Sequence, residues 1–517
     1  MPAPAKPDTV FALVEHQAAA RPEAVYALGC EDGRQLDFAT LRTRCREVAA
    51  LLDRAGVAAG ATVACVLPNG LQTLLLLLGS MYSGRCVNPV NLLSQPEQMR
   101  YVLEHSDCAL VFVSPDWEAR VRALLDGIAR PIALRVLDPA ADRIAGIAEA
   151  PAGADGTDLA EATEVTPPAP GATALLMYTS GTTGRPKGVM LSQANLAANA
   201  QAIGAEHGLG PADRVLGVLP LYHINAFAVT MLAPLAHGGS VAIAPRFSAT
   251  AFWAQVQAQR CSWINVVPTI VSFLLEGQDP PPGATAALRF CRSASAALPP
   301  EHLRGFEHRF GIGVIETMGL TETVAPAFSN PLEPAQRKLG AVGRASGCEA
   351  RVVDADLQPL PDGASGEITV RGPNVMRGYY KNPEATAAAF TPDGWLRTGD
   401  LGHRDADGFF FVTGRIKELI IKGGENIAPR EIDEVLLQHP AVRDAAAVGV
   451  PDKHYGQEIL ACVVLREGSG EPAALEAALR AFCLERLGRY KTPARFRFVA
   501  ELPRGPSGKV QRLKLAA

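Results

Sequence analysis

Residues 178–192, YTSGTTGRPKGVMLS, hold the densest set of groups in the chain that could bind a phosphate. An apolar run, ALLMY, leads into Thr179, Ser180, Gly181, Thr182, Thr183 and Gly184, and Lys187 follows. Glycines and small hydroxyl residues leave backbone N–H groups free to wrap phosphate oxygens, and the lysine adds positive charge. A surface turn would account for glycines alone. It does not account for four hydroxyl residues, three glycines and a lysine within eleven positions. The segment is not a Walker A loop, which needs Gly-Lys followed by Ser or Thr. Lys187 stands between Pro186 and Gly188, and the pair Gly508–Lys509 is followed by Val510.

Five further blocks follow in order: LPLYHINA at 219–226, ETMGLTET at 316–323, GWLRTGDLG at 394–402, GRIKELIIKGGENI at 414–427 and PRGPSGKVQR at 503–512. With the loop, these resemble the adenylate-forming acyl-CoA synthetases, relatives of luciferase and of peptide-synthetase adenylation domains. The resemblance spans essentially the whole chain. It implies an ATP-dependent carboxylate–CoA ligase: a carboxylate attacks the α-phosphate of ATP, pyrophosphate leaves, and the thiol of coenzyme A then displaces AMP. Fixed donors, cations and Mg²⁺ must answer the concentrated negative charge.

The same resemblance assigns roles. Thr321 meets the α-phosphate side and Glu322 ligates Mg²⁺, a hard cation suited to carboxylate oxygen. A Thr-Glu pair by itself reads as a helix cap. Glu316 and Met318 belong to the nucleotide site. Met318 stands where the family commonly has an aromatic residue, and its sulfur can cover an adenine face. Asp400 resembles the ribose-binding carboxylate, and Arg415 the arginine that reaches the nucleotide. In SASAALPP, replacing the commoner SGGAPLPP, Ser295, Ala296 and Ala297 border the adenine. Their added carbons tighten the wall, because glycine permits the closest approach. His223 gates the approach of the thiol. With Ala226, Ala294, Met318 and Val324 it lines an acyl pocket expected to take a short or compact acid. Lys509 is the catalytic lysine delivered to the carboxylate and α-phosphate. Lys417 is the hinge, and Gly423 and Gly424 line the pantetheine channel of a cap that swings between half-reactions.

Stepwise alternation of strand and helix must position these groups. Phe38, Leu41, Cys45, Val48 and Leu52 recur at helical spacing. Segment 63–67 reads as a strand, Asn69 as the cap of a helix over 71–81, and Ser94 with Pro96 as the start of another. Segment 108–114 is a buried strand. This alternation predicts an α/β fold with parallel-type sheets. Residues 139–173 read as a surface connection, 340–412 as a β-structured subdomain, and 414 onward as strand, Gly-Gly turn, strand and helix. The expected division is a large N-terminal domain, 1–416, and a small mobile α+β domain, 417–517.

Composition bounds the rest. The chain has 517 residues, 49 Lys+Arg against 53 Asp+Glu, and 48% hydrophobic residues. A balanced charge argues against nucleic acid as a partner. The apolar run 74–78 is far shorter than the roughly 20 residues of a membrane span. Ten scattered cysteines and an N-terminus without a secretory pattern point to reduced thiols and a cytoplasmic location. Relatives in the family imply a monomer or homodimer. The alternatives are an adenylating enzyme that loads a carrier-protein phosphopantetheine or hands its adenylate to oxygen, a non-catalytic nucleotide-binding relative, and a P-loop phosphotransferase.

Overall fold

The computed structural model describes residues 6–144, 164–179, 185–504 and 510–516. The five helical-spaced residues of the first segment all lie on the buried face of helix Phe38–Arg54. That helix starts where the Asp37 carboxylate accepts a hydrogen bond from Thr40 N. The leucine run lies in helix Leu71–Tyr82, buried along its whole length, so it serves as interior packing between sheets.

Asn69 does not cap that helix. Gly70 holds the cap position with no side-chain bond. Asn69 Nδ2 instead donates to the carbonyls of Leu219 (3.0 Å) and Ala244 (3.3 Å), and its Oδ1 accepts from Leu221 N at 2.9 Å. Tertiary partners 150 residues away outcompeted the local cap because those buried backbone groups had no other partner. Ser94 likewise stands outside the next helix, Pro96–His105, whose cap position is Gln95.

Two large sheets carry the body. One has seven strands in the order Gly378–Tyr379, Lys187–Ser192, Thr173–Thr179, Cys86–Pro89, Thr62–Val66, Leu110–Val113 and Ala133–Val136. Its pairings are parallel from Thr173–Thr179 onward. The other has nine strands, with a parallel centre built from Val314–Met318, Phe290–Ser293, Trp263–Val266, Arg214–Gly217, Ser240–Ile243 and Val25–Gly29. A four-stranded antiparallel sheet, Glu349–Val353, Gly366–Arg371, Leu396–Arg404 and Phe410–Arg415, forms the β-structured unit. The fold is α/β with mixed and parallel sheets, as expected.

The C-terminal residues build a separate five-stranded sheet from Ile420–Lys422, Glu425–Ile427, Val442–Asp452, Gly456–Leu465 and Arg495–Phe498. Helix Pro429–Leu437 buries Ile432 and Leu436 against it. Lys417 is exposed on the short turn Ile416–Glu418 that precedes this sheet. All ten cysteines are free thiols. Among the described residues no helix is long and apolar enough to cross a membrane.

Candidate active site

In parallel sheets the strands' carboxyl ends open into the crevice where ligands bind. In the nine-stranded sheet, strand Arg214–Gly217 leads into the 219–226 block, Phe290–Ser293 into 294–297, and Val314–Met318 into Thr321 and Glu322. In the seven-stranded sheet, Thr173–Thr179 leads into the glycine-rich loop. Ser180, Gly181, Thr182, Thr183 and Gly184 lie outside the described residues, but the flanking residues are placed. Thr179 and Lys187 face each other as antiparallel partners.

The two sheets meet at Glu322. Tyr379, on the strand beside Lys187–Ser192, donates its hydroxyl to Glu322 Oε1 at 2.8 Å. Lys187 Nζ sits 4.7 Å from the centre of the same ring. Met376 N donates to the Glu322 carbonyl at 2.8 Å, tying the turn to the same segment. The phosphate-loop lysine and the proposed magnesium carboxylate thus share one aromatic neighbour. A single carboxylate suits magnesium, for which phosphates and waters supply the remaining ligands.

The turn that presents Glu322 is strained. Thr321–Thr323 is one turn of 3₁₀ helix, and Val324 after it takes φ 59° although it is β-branched and wholly buried. A left-handed valine persists only where its surroundings over-determine it. Gly319, between Met318 and Thr321, has no room for a side chain, since a Cβ would lie 2.8 Å from Pro326 Cα. Met318 is half-buried, while Thr321 and Glu322 both keep some exposure to solvent.

Glu316 lies on the same strand, and its Oε1 accepts from Leu298 N at 3.3 Å. Burial pushes its carboxyl up to about 7, with the Leu298 bond opposing. This brings the 294–298 segment and the 316–323 block into one hydrogen-bonded unit. Ala294 is buried, whereas Ala296 and Ala297 are exposed. Ser295 takes φ 75°, the left-handed conformation that glycine adopts more readily.

His223 is half-buried, its ring 4.8 Å from that of Tyr222. Directly after it, Asn225–Leu232 winds with the wider i→i+5 pitch of a π-helix, a form concentrated at functional sites. Asn225 Nδ2 donates to Ser295 Oγ at 3.3 Å, and Ala226 beside it is fully buried.

Asp400 and Arg415 form a pair on the antiparallel sheet. They stand opposite each other across neighbouring strands, with Arg415 Nε 2.8 Å from Asp400 Oδ1. Gly423 and Gly424 join Ile420–Lys422 to Glu425–Ile427 with φ of 56° and 89°, the two-residue hairpin that needs both residues left-handed. Lys509 lies outside the described residues. Its neighbours are held firmly: Arg504 and Val510 form an antiparallel bridge, and Arg512 donates to Ala447 O at 2.8 Å and pairs with Asp433 and Glu418.

Three residues of this region escaped the sequence reading: Tyr379, Asn225 and Arg292. Nothing separates Tyr379 from Tyr380 in sequence. Arg292 carried a usable signal, a charge directly after the apolar pair Phe290–Cys291.

Residues 14–380 match the model of the AMP-binding enzyme family, and residues 431–509 that of the AMP-binding enzyme C-terminal domain. The chain is 58% identical to a sulfoacetate–CoA ligase of Cupriavidus necator, covering 98% of this chain and 97% of that one. It is 36% identical to an oxalate–CoA ligase of Arabidopsis thaliana over the same shares. Among solved structures, ATP-bound MatB from Rhodopseudomonas palustris superposes with a TM-score of 0.88 at 30% identity, covering 98% of each chain. The chain belongs to the AMP-binding enzyme family, as an adenylate-forming acyl-CoA synthetase: an ATP-dependent ligase of a carboxylic acid and coenzyme A.

Proposed function

We propose that the acid is small and carries a second anionic group, with sulfoacetate the leading candidate. The observation that carries this reading is the 58% identity to a sulfoacetate–CoA ligase over nearly the whole of both chains, joined by the relationship to an oxalate–CoA ligase. Sulfoacetate and oxalate are both compact acids with two anionic ends. The test is a coupled assay of AMP release with sulfoacetate, oxalate, acetate, butyrate and octanoate, each with and without coenzyme A. Sulfoacetate should give the highest kcat/KM, with sulfoacetyl-CoA identified by mass. A preference for octanoate would overturn the reading.

In the first half-reaction a carboxylate oxygen of the acid attacks the α-phosphorus of ATP. The bond from that phosphorus to the bridging oxygen breaks, and pyrophosphate leaves. Residues 179–184 and Lys187 cradle the departing phosphates, and Thr321 donates to the α-phosphate. Glu322 would hold Mg²⁺, which would supply neutralisation of phosphate charge. Met318 covers the adenine, Ser295, Ala296 and Ala297 border it, and Glu316 fixes that wall. Asp400 takes the ribose hydroxyls while Arg415 sits beside it. Lys509 holds carboxylate and α-phosphate together against their mutual repulsion.

In the second half-reaction the thiolate attacks the acyl carbon, AMP leaves with the former carboxylate oxygen, and the thiol proton passes to solvent. His223 gates the approach, and Gly423 and Gly424 leave width for the pantetheine arm. We place the domain division at 416/417, with Lys417 as the hinge on which residues 417–517 exchange Lys509 for the glycine hairpin. Ten free thiols support a reducing, cytoplasmic setting.

A further inference from the structure

Arg292 is a buried charge with no counter-charge among the described residues. Arg292 lies in strand Phe290–Ser293, within the parallel centre of the nine-stranded sheet, and its residue surface is 0% exposed. Among the described residues no carboxylate pairs with it. Nη1 alone is satisfied, donating to Asn265 Oδ1 at 2.7 Å and to Asn225 Oδ1 at 2.8 Å. Among the described residues Nε and Nη2 have no hydrogen-bond partner.

Such a group is costly. A buried guanidinium without a counter-ion carries a desolvation penalty of several kcal/mol, and each orphaned donor adds to it. Two asparagine carbonyls offset only part of that. Burial already lowers the Arg292 guanidinium to about 9, which leaves it cationic at neutral pH. Its place in the fold explains its retention. Arg292 is one residue before the carboxyl end of its strand, which runs on into Ala294 and Ser295. Asn225, on the π-helical segment, ties Arg292 to Ser295 three residues on, since Asn225 accepts from Arg292 and donates to Ser295 Oγ. Ala226 and Ala294, the small pocket residues, stand next to these partners in sequence. The two unsatisfied nitrogens, Nε and Nη2, form the side edge of the guanidinium, the edge that matches two oxygens of a carboxylate or sulfonate.

We propose that Arg292, held by Asn225 and Asn265, is the subsite that binds the second anionic group of the acid. The proposal rests on the dianionic-acid reading above. A sulfonate or carboxylate seated there accepts from Nε and Nη2, supplies the missing counter-charge, and leaves the far carboxylate pointing toward the nucleotide. The bland alternative is a structural arginine solvated by two asparagines, which would not distinguish a charged from a neutral acid.

The experiment compares sulfoacetate with methylsulfonylacetate, a neutral-ended analogue of nearly the same shape, in the wild type, Arg292→Met and Arg292→Lys. Each protein is checked for folding by circular dichroism. In the wild type the kcat/KM ratio should favour sulfoacetate by about 100-fold, as expected for charge-assisted hydrogen bonds. Arg292→Met should lower that ratio at least tenfold, and Arg292→Lys, which keeps a point charge without the fork, should fall between them. A wild type indifferent to the two acids would overturn both this subsite and the dianionic-acid reading. A wild type that prefers sulfoacetate, with a ratio unchanged in whichever variant folds, would overturn the subsite alone.

Discussion

Tyr379 donates its hydroxyl to Glu322 Oε1 at 2.8 Å while its ring lies against Lys187 Nζ at 4.7 Å. One side chain therefore couples the phosphate-loop hairpin of one sheet to the acidic turn of the other. The carboxylate raises the Tyr379 hydroxyl further above its usual range, adding to the larger effect of burial, so the hydroxyl remains a donor at every working pH.

Tyr379→Phe keeps the ring and removes that donor. A hydrogen bond that orients a metal-binding carboxylate is worth roughly 10–100-fold in metal affinity. The half-saturating Mg²⁺ concentration should therefore rise about tenfold, with little change in Tm. A magnesium titration of pyrophosphate release measures it, and an unchanged midpoint would remove Tyr379 from the site.

Asn69→Ala should destabilise the protein by about 3 kcal/mol, because it strands one N–H and two carbonyls that Asn69 now satisfies inside the core. Urea denaturation gives the value. A loss under about 0.5 kcal/mol would mean that water replaces the side chain there.

Glu316 sets a pH dependence of stability. Its folded pKa, about 7, lies above the ordinary value of 4.5. The folded state therefore binds the proton more tightly, and its contribution is complete below about 4.5 and lost as pH rises through 7. Glu316→Gln abolishes this, so its stability relative to wild type should climb between those limits, by at most about 3 kcal/mol given the group's partial exposure. Parallel stability–pH curves for the two proteins would contradict the shift.

Lys509→Ala should slow adenylation by about 100-fold or more, the scale of losing one donor to developing charge. Thioester formation from a supplied acyl-adenylate should be much less affected. Equal loss of both halves would refute the exchange of groups by the C-terminal residues.

Elements with strong period were legible in the sequence. Helix Phe38–Arg54, the leucine helix and the Gly423–Gly424 hairpin follow from spacing and from residues that tolerate positive φ. The ordered motifs made the family nameable before any geometry. Contacts between distant segments were not legible. Asn69 looked like a cap because capping is local, whereas its partners follow strands of the other sheet. Arg292 looked like one more charge until its burial and its missing partners could be seen together. Sequence spacing reports what a side chain can do nearby, while unmet polar groups emerge only after distant strands are paired.

The most direct test of the central claim uses sulfoacetate labelled with ¹⁸O in its carboxylate alone, incubated with ATP, Mg²⁺ and coenzyme A. Attack of that carboxylate on the α-phosphorus requires one labelled oxygen to leave in AMP, which mass spectrometry detects. Label in inorganic phosphate with formation of ADP, or AMP formed without label, would contradict an acyl-adenylate made at this site.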